Sequence, residues 1–338
     1  MGFQITWFVL WGVLWAVYFM LDGFVLGSGM LHTILGKNDS ERKVLTHTVG
    51  PVWDGNEVWL VTAGGATFAA FPTTYALMFS YLYTALLLLL FSLIIRGVSI
   101  EFRSKEQSPG LKKVWETGIV VGSFLPALLF GVAFGNIFAG LPMNAEGYQG
   151  GFFSLLNPFG VVTGLLFVLL FLVHGSLYTV LKTGSSLSQR AGVFAKKIWP
   201  VLLGVAVIFL AMLPFSTKLL NNFLSHPYLL IVPVLAVAAL LSIRIFIAKE
   251  SMGKAFIASC LTIVTIVATG VIGLFPNLIP SSIDPAFSLT IFNSSSSTYT
   301  LKLMTIVAFI FVPIVILYKI WVYRIFRTPV TEADAIEY

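Results

Sequence analysis

The feature that most limits what this chain can fold into is a recurring pattern of long, almost uncharged apolar runs. About 20 apolar residues are needed to cross the hydrocarbon core of a bilayer as a helix. Nine such runs follow one another, at 5–32, 51–71, 73–95, 115–140, 158–180, 198–214, 227–244, 254–275 and 302–323. The chain is 58% hydrophobic and 10% charged, against about 25% charged residues in a soluble domain. Backbone polar groups in lipid must be satisfied within the segment, so the runs read as helices. The expectation is an all-α polytopic membrane protein with nine transmembrane helices. The first 36 residues hold no Lys or Arg, so the first run reads as a retained helix rather than a signal peptide. A single cysteine, Cys260, excludes an internal disulfide and a cysteine metal cluster.

The net charge of +6 is a matter of topology, not of nucleic-acid binding. With nine spans, 18 of the 20 Lys and Arg residues, Arg96 and Lys319 included, fall on one side of the membrane, and only Lys218 and Lys302 on the other. Basic loops mark the cytoplasmic face, so the N-terminus is expected outside and the C-terminus inside. Pro72 and the short link at 71–73 imply a tight hairpin between the second and third spans. Pro126, Pro233 and Pro313 fall within spans and are expected to kink them. The stretch FNSSSSTY (292–299) reads as a flexible loop tip, and TEADAIEY (331–338) as a solvated acidic tail. Three parts are expected: a four-helix unit over 1–141, a second over 142–280, and a ninth helix with its tail over 281–338.

Only three carboxylates, Asp22, Asp54 and Glu57, lie inside the runs, with Glu116 at an edge. A charge at mid-bilayer costs at least about 2.5–3.5 kcal/mol, so such residues tend to face a bundle interior and mark ion or proton paths. Asp54 and Glu57 share a helix face by their spacing. The first helix ends, and the second begins, on the same side, so Asp22 joins them along one inner-facing path. The plainer alternatives are that Asp54 complements a helix dipole behind Pro51 and that Asp22 makes an interhelical hydrogen bond. Gly23 and Gly27, and Gly131 and Gly135, have the spacing of close helix crossings. His174 is the one histidine well inside a run, and a lone histidine there reads as a hydrogen bonder before a ligand. Trp115 and Trp199 read as belt residues. Trp53 and Trp59 flank the acids and are weak candidates for lining a quinone or lipid cavity. No catalytic residue and no metal site is expected in this chain.

The stretch WDGNEVWLVTAGGATFAAFP (53–72) resembles subunit II of the cytochrome bd-type quinol oxidases. So do LDGFVLGSGML (21–31), IEFRSK (100–105), GSFLPALLFGVAFGN (122–136) and LLNPFG (155–160), in the family's order. The resemblance is specific over the first 160 residues and rests on length and span count beyond them. It implies two four-helix bundles plus a peripheral ninth helix, in a bacterial or archaeal cytoplasmic membrane. It implies a heterodimer with a larger subunit I that carries b- and d-type haems, with room for a small single-span accessory subunit. The complex would oxidise quinol, reduce dioxygen to water and build a proton gradient. The resemblance also implies a polar channel from the cytoplasm along the subunit interface, here with Asp54, Glu101 and Lys105 by motif position, and Asp22 and Glu57 nearby. Where the family commonly has an acid after the Gly-Phe pair, this chain has Val25. Glu57 is not a fixed acid in the family, since Gln also stands there.

Two rivals remain at the level of sequence. A proton-coupled secondary transporter suits nine helices with buried acids, but such folds carry broken helices in both halves, and here the acids lie in the first half only. A scaffold without a proton path differs only in whether Asp54 matters. The orientation is directly testable. A reporter that is active only in the cytoplasm should be active when fused after Tyr338 and silent within 141–157. The reverse pattern would overturn both the span count and the charge argument.

Overall fold

The computed structural model of the chain describes residues 2–331 and 334; the acidic tail, apart from Thr331 and Asp334, lies outside the described residues. The helices are α1 (Gly2–Met30), α2 (His32–Leu35), α3 (Asp39–Val49), α4 (Trp53–Ala70), α5 (Pro72–Tyr81), α6 (Tyr83–Arg103) and α7 (Pro109–Ala139). They continue with α8 (Pro158–Lys182), α9 (Ser185–Ser216), α10 (Leu220–Ser225), α11 (Ile231–Ala248), α12 (Met252–Leu274) and α13 (Thr298–Ile325). Two small antiparallel hairpins, Met143–Asn144 with Gly147–Tyr148 and Asn277–Ile279 with Leu289–Thr290, sit in the two long loops.

Among the described residues, eight helices are long and apolar enough to cross a membrane: α1, α6, α7, α8, α9, α11 with the turn before it, α12 and α13. The helix over the second expected run, α4, is not among them. Asp54, Asn56 and Glu57 in its first turns and the Gly64–Gly65 pair keep its hydropathy low. It nevertheless lies antiparallel along α1. Asn56 Nδ2 donates to the Leu21 carbonyl at 2.9 Å, and Trp11 Nε1 donates to Thr67 Oγ1 at 3.1 Å. The turn at Phe71 with Pro72 at the start of α5 makes the expected hairpin.

The structure departs from the sequence reading in three places. The third run was expected to stop at 95, but α6 continues to Arg103, which carries Arg96 into the helix interior. Pro233 lies in the first turn of α11, where its missing N–H has no intrahelical partner to lose, so it does not kink a helix there. Pro126 and Pro313 do sit inside helices. The serine-rich stretch is packed rather than a flexible tip: Ser296 N donates to the Ala70 carbonyl at 2.9 Å and Ser294 is buried. Gln4 Nε2 donates to Ser295 Oγ at 2.9 Å. Backbone hydrogen bonding by small polar residues, not solvation, fixes this segment.

Helix packing in lipid depends on close approach and dispersion rather than on expulsion of water. The glycines supply that approach on both sides of α8. A Cβ on Gly27 of α1 would overlap the Phe171 carbonyl oxygen and lie 2.9 Å from Gly175 Cα. On the other flank, a Cβ on Gly131 of α7 would lie 2.6 Å from Gly164 Cα. Between these crossings Trp15, Tyr18, Phe19, Phe130, Phe134 and Phe167 interlock, with Phe19 edge-on to Phe167 at 5.1 Å. α13 is peripheral: of its residues only Leu301 is buried. Its N-terminal half is held to α1 by Trp7 Nε1, which donates to the Leu301 carbonyl at 3.1 Å.

The glycine crossing makes a firm prediction. Gly27→Leu should cost on the order of 3 kcal/mol, because backbone cannot step aside as a side chain can. Gly253→Ala, in open space, should be neutral. Detergent-stable yield and thermal unfolding of both variants check this.

Candidate functional site

Arg96 is the centre of the site. It is fully buried, as is Asp22 on α1. Its Nη2 lies 3.0 Å from Asp22 Oδ2 and 3.3 Å from Oδ1, and the same nitrogen meets Glu57 Oε1 of α4. Tyr18 donates its hydroxyl to Asp22 Oδ2 at 3.2 Å. Arg96 Nε and Nη1 are buried without a hydrogen-bond partner among the described residues. Local sequence explains the arrangement. Tyr18 and Asp22 are four apart on α1, so they share a face. Gly122 lets α7 press on the α6 backbone, because a Cβ there would lie 2.8 Å from Arg96 N.

Asn56, one residue before Glu57, joins three helices. Its Nδ2 holds α1 at Leu21, and its Oδ1 accepts from Tyr323 Oη of α13 at 2.9 Å and from Lys319 Nζ at 3.5 Å. Fully buried itself, it has both ends of its amide engaged.

A second ionic cluster lies two turns further along α6. Arg103, also fully buried, donates from Nη2 to Glu116 Oε1 at 2.7 Å and to Asp39 Oδ1 at 2.8 Å. Arg42 reaches Glu116 Oε2 at 2.7 Å, and Lys112 reaches Asp39 Oδ2 at 3.2 Å. Glu41 pairs with Arg190 at 2.6 Å. Burial works against the charge of Asp39, but the hydrogen bond from Lys112 and the charge of Arg103 outweigh it and hold its pKa below 3.8. Burial likewise opposes Glu41, and Arg190, the Lys37 N–H and Ser186 hold it below 4.5. Both pKa values are depressed by folding, so these pairs add stability above the ordinary carboxylate range. That contribution disappears as pH falls through the lowered values.

Between the two clusters lies a small enclosed cavity of about 10 Å³, lined among others by Ser28, His32, Thr46, Ile100 and Ser123. One water needs roughly 10–15 Å³ of such space. Ser123 Oγ and His32 Nδ1 are buried beside it with no hydrogen-bond partner among the described residues. Val25 is one of the apolar residues on its wall.

Of the residues singled out from sequence, Asp22 and Glu57 meet on Arg96. Asp54, Glu101 and Lys105 are exposed and are not joined to one another. The Trp53 ring lies about 3.0 Å from where a Cβ on Gly97 would stand, which sets the start of α4 one turn from Glu101. Trp53 is therefore a spacer between α4 and α6. Trp59 is buried in the main core, and neither tryptophan lines one of the larger cavities. His174 has both ring nitrogens engaged. Nε2 meets the Met20 carbonyl at 2.9 Å and so carries the proton, Nδ1 meets Ser259 Oγ at 2.6 Å, and the ring stacks on Phe256. A residue so committed does not fit a haem ligand. Among the described residues no three His, Cys, Asp or Glu side chains gather to hold a metal ion.

Sequence reading missed Arg96, Arg103 and Lys319, which it counted as topology markers. The signal available was the spacing of Arg96 and Arg103, seven apart and hence on one helix face, with apolar residues before and between them.

Asp22, Glu57 and Arg103 fall within the stretches 21–31, 53–72 and 100–105 singled out in the sequence, whereas Arg96, Asp39 and Glu116 lie outside them. The pattern of the family described as cytochrome bd terminal oxidase subunit II matches residues 3–326. The chain belongs to the cytochrome bd oxidase subunit II family. It is 37% identical to the cytochrome bd-I ubiquinol oxidase subunit 2 of Escherichia coli (strain K12), over 98% of this chain and 96% of that one. It is 36% identical to the cytochrome bd ubiquinol oxidase subunit 2 of Bacillus subtilis (strain 168), over 98% of each. The bd oxidase of Geobacillus thermodenitrificans shares its fold, with a TM-score of 0.79 at 17% identity over 96% of this chain and 99% of that one. As a bd oxidase subunit II, the chain is a multi-pass protein of the cytoplasmic membrane.

Removing one partner of a buried ion pair leaves the other charge uncompensated, at a cost of about 3–5 kcal/mol. Arg96→Leu should therefore lower the melting temperature and yield sharply. Arg96→Leu combined with Asp22→Leu should recover much of the loss. If the double variant is no better than the single, the two side chains are not energetically coupled.

Proposed function

We propose that this chain is the haem-free subunit of a quinol:oxygen oxidoreductase, in which it scaffolds a larger haem-bearing subunit I and carries protons in from the cytoplasm. As a member of its family it is a subunit of a terminal quinol oxidase, an oxidoreductase complex whose substrate is quinol and which contains haem. The finer assignments are that the b- and d-type haems and the quinol site lie in subunit I, and that α4 is the ninth span, with the N-terminus outside and the C-terminus in the cytoplasm. The division into units over 1–141 and 142–280, with a ninth helix and tail over 281–338, belongs to the same reading, as does room for a small accessory subunit.

The observation that carries the proton role is the pairing of Asp22 and Glu57 on the fully buried Arg96. In this reading protons pass from there by way of the pocket that Ser123, Thr46 and His32 help to line, and Arg103, Glu116 and Asp39 stand at the basic end. Arg96 Nε and Nη1, Ser123 Oγ and His32 Nδ1, all buried and without hydrogen-bond partners among the described residues, are suited to ordered water, and water between fixed polar groups conducts protons. Asp54, Glu101 and Lys105 form the outer branch, on the surface that subunit I would cover. A carboxylate passes protons when its surroundings bring its affinity toward the working pH. When haem is bound in subunit I it supplies the oxygen chemistry; the residues here hold charge and move protons. The transporter reading loses its basis with family membership.

Asp54→Asn tests the role. It keeps shape and hydrogen bonding but removes the titratable proton. If Asp54 only complements the α4 dipole, the loss should be a few tenths of a kcal/mol and turnover should be unchanged. If it relays protons, assembly and haem content should be normal while quinol-driven oxygen uptake per haem falls roughly tenfold or more, since about 1.4 kcal/mol on the limiting barrier is tenfold. Glu101→Gln and Lys105→Met should slow the same step less. Full turnover in Asp54→Asn would leave the scaffold alone standing.

A further inference from the structure

An open pocket of about 590 Å³ lies at the start of α7, lined among others by Asp39, Arg42, Lys112, Lys113, Glu116 and Thr117. Both of its acids are fully engaged. Asp39 holds Arg103 through Oδ1 at 2.8 Å and Lys112 through Oδ2 at 3.2 Å. Glu116 holds Arg103 through Oε1 and Arg42 through Oε2, each at 2.7 Å. Every carboxylate oxygen is thus taken by one of three cations, and the exposed Lys113 has no ion pair among the described residues. Arg42, Arg103, Lys112 and Lys113 against Asp39 and Glu116 leave two positive charges in excess. The first turn of α7 carries no acidic residue, and Ser108 supplies no side-chain cap, so the positive end of the helix dipole adds to that excess.

What lies below the pocket decides which anion fits it. Lys113, Thr117, Val121 and Phe124 follow at spacings of four, four and three, which places them on one face of α7. All four are exposed, while other faces of the helix pack on α1, α6 and α8. From Lys113 to Phe124 the helix rises about 16 Å, close to one leaflet's share of a roughly 30 Å hydrocarbon core. Trp115, whose ring lies 5.7 Å from that of Phe102, marks the depth at which indoles gather between hydrocarbon and headgroups. The excess cations therefore stand at headgroup depth, directly above an exposed apolar stripe. A soluble anion would use only the cations, and a neutral lipid only the stripe.

We propose that this pocket and stripe form a binding site for an anionic phospholipid. Its phosphate meets Lys113 and the donors that Lys112 and Arg42 retain beyond their ion pairs, and an acyl chain lies along Thr117, Val121 and Phe124. The site does not rest on the proton-uptake reading, because the phosphate meets the free donors and not the carboxylates.

The test uses the purified oxidase complex in phosphatidylcholine nanodiscs that contain a small fraction of phosphatidylglycerol with a photoreactive acyl chain. After illumination, label is counted in the peptide that spans residues 114–128. Phosphatidylglycerol should label it several-fold more than phosphatidylcholine that carries the same reactive group. Lys113→Gln should lower that preference about fivefold, the weight of one lysine beside an anionic lipid, and Lys113→Arg should keep it. Lys113 is exposed and unpaired, so both variants should fold and assemble as the wild type does. Lys254→Gln, at the exposed start of α12, should leave the labelling unchanged. Equal labelling by the two lipids, or an undiminished preference in Lys113→Gln, overturns the proposal. So does an unlabelled peptide, which would show that another subunit covers the stripe. If excess inorganic phosphate abolishes the preference for phosphatidylglycerol, the pocket takes free phosphate and the lipid assignment fails.

Discussion

A guanidinium with no solvent exposure, set between helices within a membrane protein, is the constraint on which the rest of this molecule depends. Arg96 is permanently charged, so it must be met by anions. The two that meet it come from different helices, Asp22 from α1 and Glu57 from α4. Their attraction in a low-dielectric setting offsets a desolvation cost of several kcal/mol per ion only when the geometry is good. The fold therefore has to bring α1, α4 and α6 together at one depth. Glycines allow it: Gly122 admits α7 against the Arg96 backbone, and Gly97 admits Trp53. The polarity that makes α4 too weak to qualify as a span by composition is the polarity that this cluster requires.

The remainder of the chain supplies rigidity. α8 is gripped by α1 at Gly27 and Gly175 and by α7 at Gly131 and Gly164, so the first and second halves interlock through backbone contact rather than meet at a polar seam. His174 ties α8 to α1 and α12 through its two ring nitrogens. The ionic groups are concentrated on α1, α3, α4, α6 and α7, whereas α9, α11 and α12 pack mainly through aliphatic and aromatic side chains.

Much of this was legible in the sequence. Apolar run length located the long helices, because the bilayer thickness fixes how many residues a span needs. The glycine pairs announced the crossings, and the blocks around WDGN and LDGF pointed to the family to which the chain belongs. Asp22 and Glu57 stood out as acids in apolar surroundings. Their cation did not. Counting basic residues toward a membrane face treats every Lys and Arg near a run's end as solvated, and Arg96 stands just beyond the expected end of its run. Whether such a residue extends toward water or folds back onto a neighbouring helix depends on what that neighbour presents.

That dependence separates what the sequence determined from what the tertiary structure decided. Periodicity, run length and glycine spacing are properties of a single helix and its solvent, and they follow from composition along the chain. The pairing of Arg96 with Asp22 and Glu57 and the reach of Lys319 to Asn56 join residues 39 to more than 260 positions apart. Only the rotation and depth of each helix against the others bring them within hydrogen-bond distance. Those quantities are set by side-chain packing summed over the whole bundle, which no local stretch of sequence contains.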